Sequence, residues 1–312
     1  MRVYTDIALL PRFKNTVITI GTFDGVHLGH KKIIEQLISE AGRVGGETVI
    51  VTFHPHPRQV VRTRNEKVQL LTTIEERAEL LERHGVDNLV IVPFNRNFSE
   101  QSPEEYVEKF LVSRFSPQVV IIGYDHKFGK ERQGDYKLLE AYSERSYFEL
   151  KEIPQQVIAD NAISSTRIRT ALNEGDVLLA NRLLGYEFFF DGIVVRGDQR
   201  GRMIGFPTAN IQLLNEDKLV PANGVYAVQV AGGTTRSAIN NGMMNIGVRP
   251  TVDGTRKTIE VNIFDFDQDL YGTTLRVYMK DYLRSEMKFG GLDELKMQLG
   301  ADEKAARDVL EK

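Results

Sequence analysis

Apolar and polar positions in the first half of the chain follow two alternating rhythms. Short β-branched runs at 16–20, 48–53, 89–94 and 119–122 have the pattern of buried strands. Between them, apolar residues recur three and four apart: Ile33, Ile34, Leu37 and Ile38 within 30–41, and Ile74, Ala78, Leu80 and Leu81 within 73–84. That spacing lines one face of a helix. Threonines precede the second of these helices and Gly85 closes it. A further helix is expected over 103–115. Strands separated by helices of about a dozen residues predict parallel pairing through right-handed crossovers, with ligands at the carboxyl ends of the strands.

The rhythm changes near Gly185. Ser164, Ser165 and Thr166 read as a helix start, and 176–184 as a short helix with Gly185 at its C-terminal cap. From 188 onward, strand-like runs at 188–195, 224–230, 258–264 and 274–278 are separated by Gly, Asn and Asp turns. This is the mark of an antiparallel sandwich or small barrel. Helical spacing returns at 292–310, a tail expected to pack on that barrel. The predicted organisation is an α/β domain with a parallel sheet over 1–185, followed by a β domain over 186–312.

Composition narrows the function. A length of 312 residues favours two domains, and hydrophobic and charged fractions of 41 % and 27 % are ordinary for a globular protein. Lys and Arg total 40 against 43 Asp and Glu, a net charge of −3. That near-balance argues against a general nucleic-acid or anionic-membrane binder, while leaving room for a local basic pocket. With no cysteine, disulfides, thiolate metal sites and cysteine nucleophiles are excluded, and a reducing compartment fits. The first residues lack the layout of a signal peptide, and the longest apolar runs are too short to span a bilayer. The expectation is a cytoplasmic protein, monomeric or weakly homo-oligomeric, without nucleic-acid or membrane partners.

The first dense motif is Gly21-Thr22-Phe23-Asp24-Gly25-Val26-His27-Leu28-Gly29-His30, between a strand and a helix. Glycines let the backbone approach an anion, and the helix N-terminus adds free N–H donors. His27 and His30, three apart, can project to the same side and donate to oxygens that gain charge in a transition state. Taken alone, such a pair is more often a capping or surface feature, and as a zinc site it lacks an obvious third ligand. Further along, the guanidinium fork of Arg169 can hold two phosphate oxygens, with Ser165 and Thr166 hydroxyls at the helix start as extra donors. A solvated pair, Arg167 and Arg169, beside a simple cap is the plainer alternative. His54 and His56 can approach phosphates, or their neighbouring prolines can simply stiffen a loop.

The second motif runs from Gly197 to Asn210. Gly197, Gly201 and Gly205, with Arg200 and Arg202, make a loop suited to covering phosphates. Thr208 and Asn210 offer oxygen ligands appropriate to Mg²⁺ rather than zinc. Glu260, in a strand-like run, would by itself pass for a solvated charge.

Gly21 to His30 resembles the HxGH motif of the nucleotidylyltransferase superfamily, in the form associated with prokaryotic bifunctional FAD synthetases. Phe53 to Pro57, Gly123 to Gly129 and Ile163 to Arg169 resemble that family's later motifs in the expected order. Gly205-Phe206-Pro207-Thr208-Ala209-Asn210, Pro221 to Tyr226 and Met244 to Thr251 resemble riboflavin kinases, and Arg284 to Phe289 resembles their flavin-side flap.

The resemblance implies a Rossmann-like FMN adenylyltransferase domain followed by a Greek-key riboflavin kinase barrel. The first would bind ATP through Gly21, Phe23, His27, Gly29, His30, Ser164, Ser165, Thr166 and Arg169, with His27, His30 and Arg169 catalytic. Flavin would meet Asp125 and Phe128. His126 stands where relatives often carry an aromatic residue. In the kinase, Glu260 would be the catalytic base and Thr208 and Asn210 the metal ligands, although Val261 and Asn262 depart from the commoner neighbours. The implied substrates and products are riboflavin, FMN, FAD, ATP, ADP and pyrophosphate, with Mg²⁺ as cofactor. Two other readings are a nucleotidylyltransferase with a different phosphorylated acceptor and a non-catalytic flavin-binding regulator. The presence of Thr208, Asn210 and Glu260 disfavours both.

Overall fold

The strands β1 (Arg2–Tyr4), β2 (Val17–Ile20), β3 (Thr48–His54), β4 (Asn88–Pro93), β5 (Val119–Gly123) and β6 (Glu149–Ile153) form one six-stranded sheet. Its order is β1-β4-β3-β2-β5-β6 and every pair is parallel. The computed structural model describes residues 1–61, 68–123, 126–153, 163–197, 200–232, 235–251 and 254–311. The chain divides into two units, Met1–Ser165 and Thr166–Lys312.

In the first unit, α1 (Leu28–Val44), α2 (Ile74–Arg83), a helix over 103–115 (α3) and α4 (Tyr136–Glu144) connect the strands. Ile18, Ile20, Val49, Val51, Val90, Val92, Val120 and Ile122 pack with Phe110, Leu111 and Phe115 into one core. Burial of such side chains stabilises a domain by about 1.5–3 kcal/mol each. The predicted α3 is continuous, but its middle, Tyr106–Val112, is π-helical. Strand β1 has three residues, and β6 reads Glu-Leu-Lys-Glu-Ile. Neither shows a run of buried apolar positions, which is why the hydrophobic pattern does not announce them.

Chain order and sheet order reverse between β2 and β5. From β2 the chain builds outward through β3 to β4 and then crosses back to β5. The carboxyl ends of β2 and β5 therefore flank a topological switch point, the crevice where parallel α/β sheets bind ligands.

The second unit opens with α5 (Ser165–Glu174, whose first residue ends the preceding unit) and α6 (Val177–Leu184). Asp176 caps α6 by accepting from the Leu179 amide, and Gly185 ends it in the left-handed region at φ 79°. Six antiparallel strands follow: β7 (Phe189–Val195), β8 (Ala209–Leu213), β9 (Gly224–Gly232), β10 (Thr235–Thr251), β11 (Gly254–Ile263) and β12 (Thr274–Arg284). They close into a barrel in the order β10-β11-β8-β7-β12-β9. Strands β9, β10 and β11 are consecutive neighbours, and β12 returns beside β9, which is a Greek key. The tail helix α7 (Leu292–Leu310) packs through Ala306 against Ala227, Met243 and Phe264. Residues 200–203, read from sequence as loop, form a single helical turn, and Asn210 belongs to β8.

Candidate functional site

In the first unit, the loop after β2 delivers both histidines to the start of α1. His27 is the N-cap, its Nδ1 accepting from the His30 amide at 3.3 Å. With Nδ1 occupied as acceptor, the neutral His27 ring carries its proton on Nε2 and presents it as a donor. The first turn of α1 contains no acidic residue, so the positive end of the helix dipole is left for an anion. His27 and His30 stack, and Phe23 lies beside His30 at 4.9 Å between centroids. Burial, the neighbouring His27 and the Arg77 charge together hold the His30 pKa well below the usual histidine value. Nδ1 of His30 is buried and has no hydrogen-bond partner among the described residues.

The glycines are set by contacts. A Cβ on Gly29 would lie 3.2 Å from the His27 ring, and one on Gly21 would lie 3.1 Å from the Phe23 ring. Between them, Phe23 and Val26 adopt positive φ, 47° and 37°. Such backbone costs about 1–3 kcal/mol per residue and persists only where its surroundings enforce it.

Enforcement comes from residues the sequence reading left unassigned. Asp24 is fully buried and accepts from the Leu71 and Thr72 amides at 3.1 and 3.0 Å. Thr72 Oγ1 accepts from the Gly25 amide at 3.0 Å. Arg77, on α2, lies 3.6 Å from Asp24 and donates to Thr52 Oγ1 at 2.9 Å. Thr52 in turn donates to the Thr22 carbonyl. Asp24 lies within the Gly21–His30 motif, but nothing in one sequence pairs it with Thr72 and Arg77, some 50 residues on.

Ser165 donates from its hydroxyl to the Asp24 carbonyl at 3.0 Å, which ties that residue to the histidine loop. Ser164 is exposed. Thr166 and Arg169 lie on α5, Thr166 exposed and Arg169 half-buried. Beyond β5, Phe128 is buried and stacks on Tyr106 at 4.8 Å, with His126 5.7 Å from Phe128. Asp125 lies outside the described residues.

In the barrel, Glu260 of β11 stands directly opposite Asn210 of β8 on one side and Asn245 of β10 on the other. Opposed residues of antiparallel strands share a face, with Cβ atoms about 5 Å apart. A polar row thus crosses three strands, with Asn245 as a member the sequence reading did not name. Asn262 donates from Nδ2 to the Pro207 carbonyl at 2.7 Å, tying the Gly205–Asn210 segment to the strand that carries Glu260. A Cβ on Gly197 would sit 2.2 Å from Asn210 Nδ2, and one on Gly201 would sit 2.2 Å from the Phe206 carbonyl oxygen. Backbone stands in the way at Gly201, which must therefore be glycine, whereas at Gly197 the Asn210 side chain would have to move. Gly205 takes φ 88°, and Arg202 is exposed.

Two family models match the chain, FAD synthetase over residues 10–167 and riboflavin kinase over 184–310. Bifunctional riboflavin kinase/FMN adenylyltransferases are similar along nearly the whole length. The protein of Listeria monocytogenes is 41 % identical, covering 94 % of this chain and 92 % of the relative. That of Bacillus subtilis is 38 % identical, with 93 % and 91 % covered. A crystal structure described as a macrolide-efflux protein from Streptococcus pneumoniae superposes with a TM-score of 0.86 at 32 % identity, covering 98 % of each chain. Among the described residues, no helix of the present chain is long and apolar enough to cross a membrane. The parallel-sheet unit and the barrel, with these matches, define a two-part transferase acting on flavins. The chain belongs to the bifunctional riboflavin kinase/FMN adenylyltransferase family.

Proposed function

We propose that the barrel phosphorylates riboflavin with ATP and that the α/β unit then adenylylates the FMN so formed. The reading is carried by one arrangement: two stacked imidazoles at a helix start on a parallel-sheet switch point, in the same chain as a carboxylate opposite Asn210.

In the adenylylation, an FMN phosphate oxygen attacks the α-phosphorus of ATP, and the bond to the bridging oxygen breaks to release pyrophosphate. The work is positioning and charge neutralisation, with no covalent enzyme intermediate. His27 Nε2 and His30 donate to phosphate oxygens, the α1 amides add donors, and Gly21 and Gly29 permit the close approach. Ser164, Ser165, Thr166 and Arg169 are assigned to ATP on the sequence signature, and Phe23 acts from beneath by supporting His30. Phe128, Asp125 and His126 are assigned to the flavin side.

In the kinase step, Glu260 accepts the proton of the ribityl hydroxyl as that oxygen attacks the γ-phosphorus and ADP leaves. Gly197, Gly201, Arg202 and Gly205 belong to the loop over the phosphates. Thr208 and Asn210 suit Mg²⁺: they are hard oxygen donors, and no cluster of three or more His, Asp or Glu among the described residues offers a dedicated cage. Mg²⁺ typically leans on one or two protein ligands plus substrate phosphates, whose charge it neutralises when bound. We place the protein in the reducing cytoplasm, in keeping with its lack of cysteine.

The test is to incubate the protein with riboflavin, ATP and Mg²⁺ and to separate the flavins. FMN followed by FAD is expected. FMN without FAD rejects the adenylyltransferase assignment, and FAD formed only from added FMN rejects the kinase assignment.

A further inference from the structure

We propose that Arg77, paired with Asp24, is a positioning residue of the adenylylation site, locking the strained histidine loop to β3 and to the start of α2. The inference rests on the adenylyltransferase reading above. Arg77 and Asp24 have side chains only 3 % and 1 % exposed, so neither is placed to meet a substrate. What they do is join three segments. Arg77 reaches β3 through Thr52 at 2.9 Å and the turn before α2 through the Thr72 carbonyl at 3.3 Å. Asp24 fastens the histidine loop to that same turn through two amides and the Thr72 hydroxyl, the last at 3.2 Å.

In this loop Phe23 and Val26 are held at positive φ, which non-glycine residues avoid. A buried carboxylate deprived of its cation is destabilised strongly, and the loop it anchors would relax. Relaxation moves His27 and His30, and a displacement near 1 Å in groups that act in a transition state costs roughly a hundredfold in rate. Lysine in place of Arg77 keeps a charge opposite Asp24 while losing the fork that spans Thr52 and Thr72.

The experiment measures both reactions on the same full-length protein, so riboflavin phosphorylation serves as an internal control. Arg77→Met is expected to lower kcat for FAD formation from FMN by roughly a hundredfold, with the KM for ATP changing far less. Arg77→Lys should restore kcat to within about tenfold of the parent, and Thr52→Val should lower it about threefold to tenfold. All three should phosphorylate riboflavin as the parent does. Should Arg77→Met fail to fold, Thr52→Val and Arg77→Lys carry the test. A folded variant set with kcat within twofold of the parent, or a loss expressed only as lowered thermal stability, overturns the proposal. Absence of FAD formation by the parent would instead refute the underlying assignment.

Discussion

His27 and His30 lie face to face, ring centroids 3.7 Å apart and 13° from parallel. Two imidazolium rings at that distance would repel, so the stack disfavours a doubly charged pair, in agreement with the depressed pKa of His30. A neutral ring can still donate from nitrogen to phosphate.

Replacing His30 by Ala is expected to abolish FAD formation from FMN and leave riboflavin phosphorylation intact. Glu260→Gln should do the converse. Separation of flavins after incubation with either substrate checks both; loss of both activities in either folded variant would refute separate sites.

The low pKa of His30 gives a pH dependence of definite sign. Well above pH 6.5 the ring is uncharged in both folded and unfolded chains. Below the ordinary histidine value of 6.5, the unfolded chain takes up a proton that the folded one refuses. That contribution to stability is therefore complete above 6.5 and is lost as pH falls toward the folded value. Thermal unfolding of the first unit at roughly pH 7.5 and pH 5.5 should show a larger drop in the parent than in His30→Gln.

Gly197→Ala tests the close approach at the barrel. Its Cβ would meet the Asn210 amide at 2.2 Å, displacing a proposed metal ligand opposite Glu260. We expect riboflavin phosphorylation to fall by about tenfold or more, with a higher Mg²⁺ requirement and unchanged adenylylation of supplied FMN. A kinase with parental metal dependence would count against Asn210 as ligand.

Asp302 tests the tail. It is buried at 3 % exposure and receives Arg284 Nε and a terminal guanidinium nitrogen at 2.7 and 2.6 Å. Asp302→Ala should cost about 1.5–3 kcal/mol by removing the charge-assisted hydrogen bonds from that guanidinium. Arg284 also donates to the Ser285 carbonyl, so the segment following β12 should loosen, and the KM for riboflavin should rise. Denaturant unfolding and steady-state kinetics read the two effects.

Much of this was legible in the sequence because the signals are local. The strands β2 to β5 are runs of β-branched residues, α7 was bounded at 292–310 as observed, and the histidine and GFPTAN motifs each lie within a single segment. What escaped depends on pairing across distance. Strand β10 passes through Asn240, Asn241 and Gly242, residues that read as a turn until β9 and β11 supply their partners. Strand β8 is likewise fixed by its neighbours β7 and β11. The same holds within the sites. Asn245 becomes notable only through its register with Glu260, and Asp24 only through the Thr72 turn.

Closure of the barrel has a bearing on solubility during biosynthesis. A cylinder of strands offers no raw flank for another chain to zip onto, whereas an open sheet must guard its two margins. Here the guards are brevity on one side, the three residues of β1, and charge on the other, where Glu149 of β6 is bridged by Arg43 and Lys151. Neutralising that second margin with apolar substitutions should make the α/β half, and not the barrel, the seed of intermolecular β-aggregation.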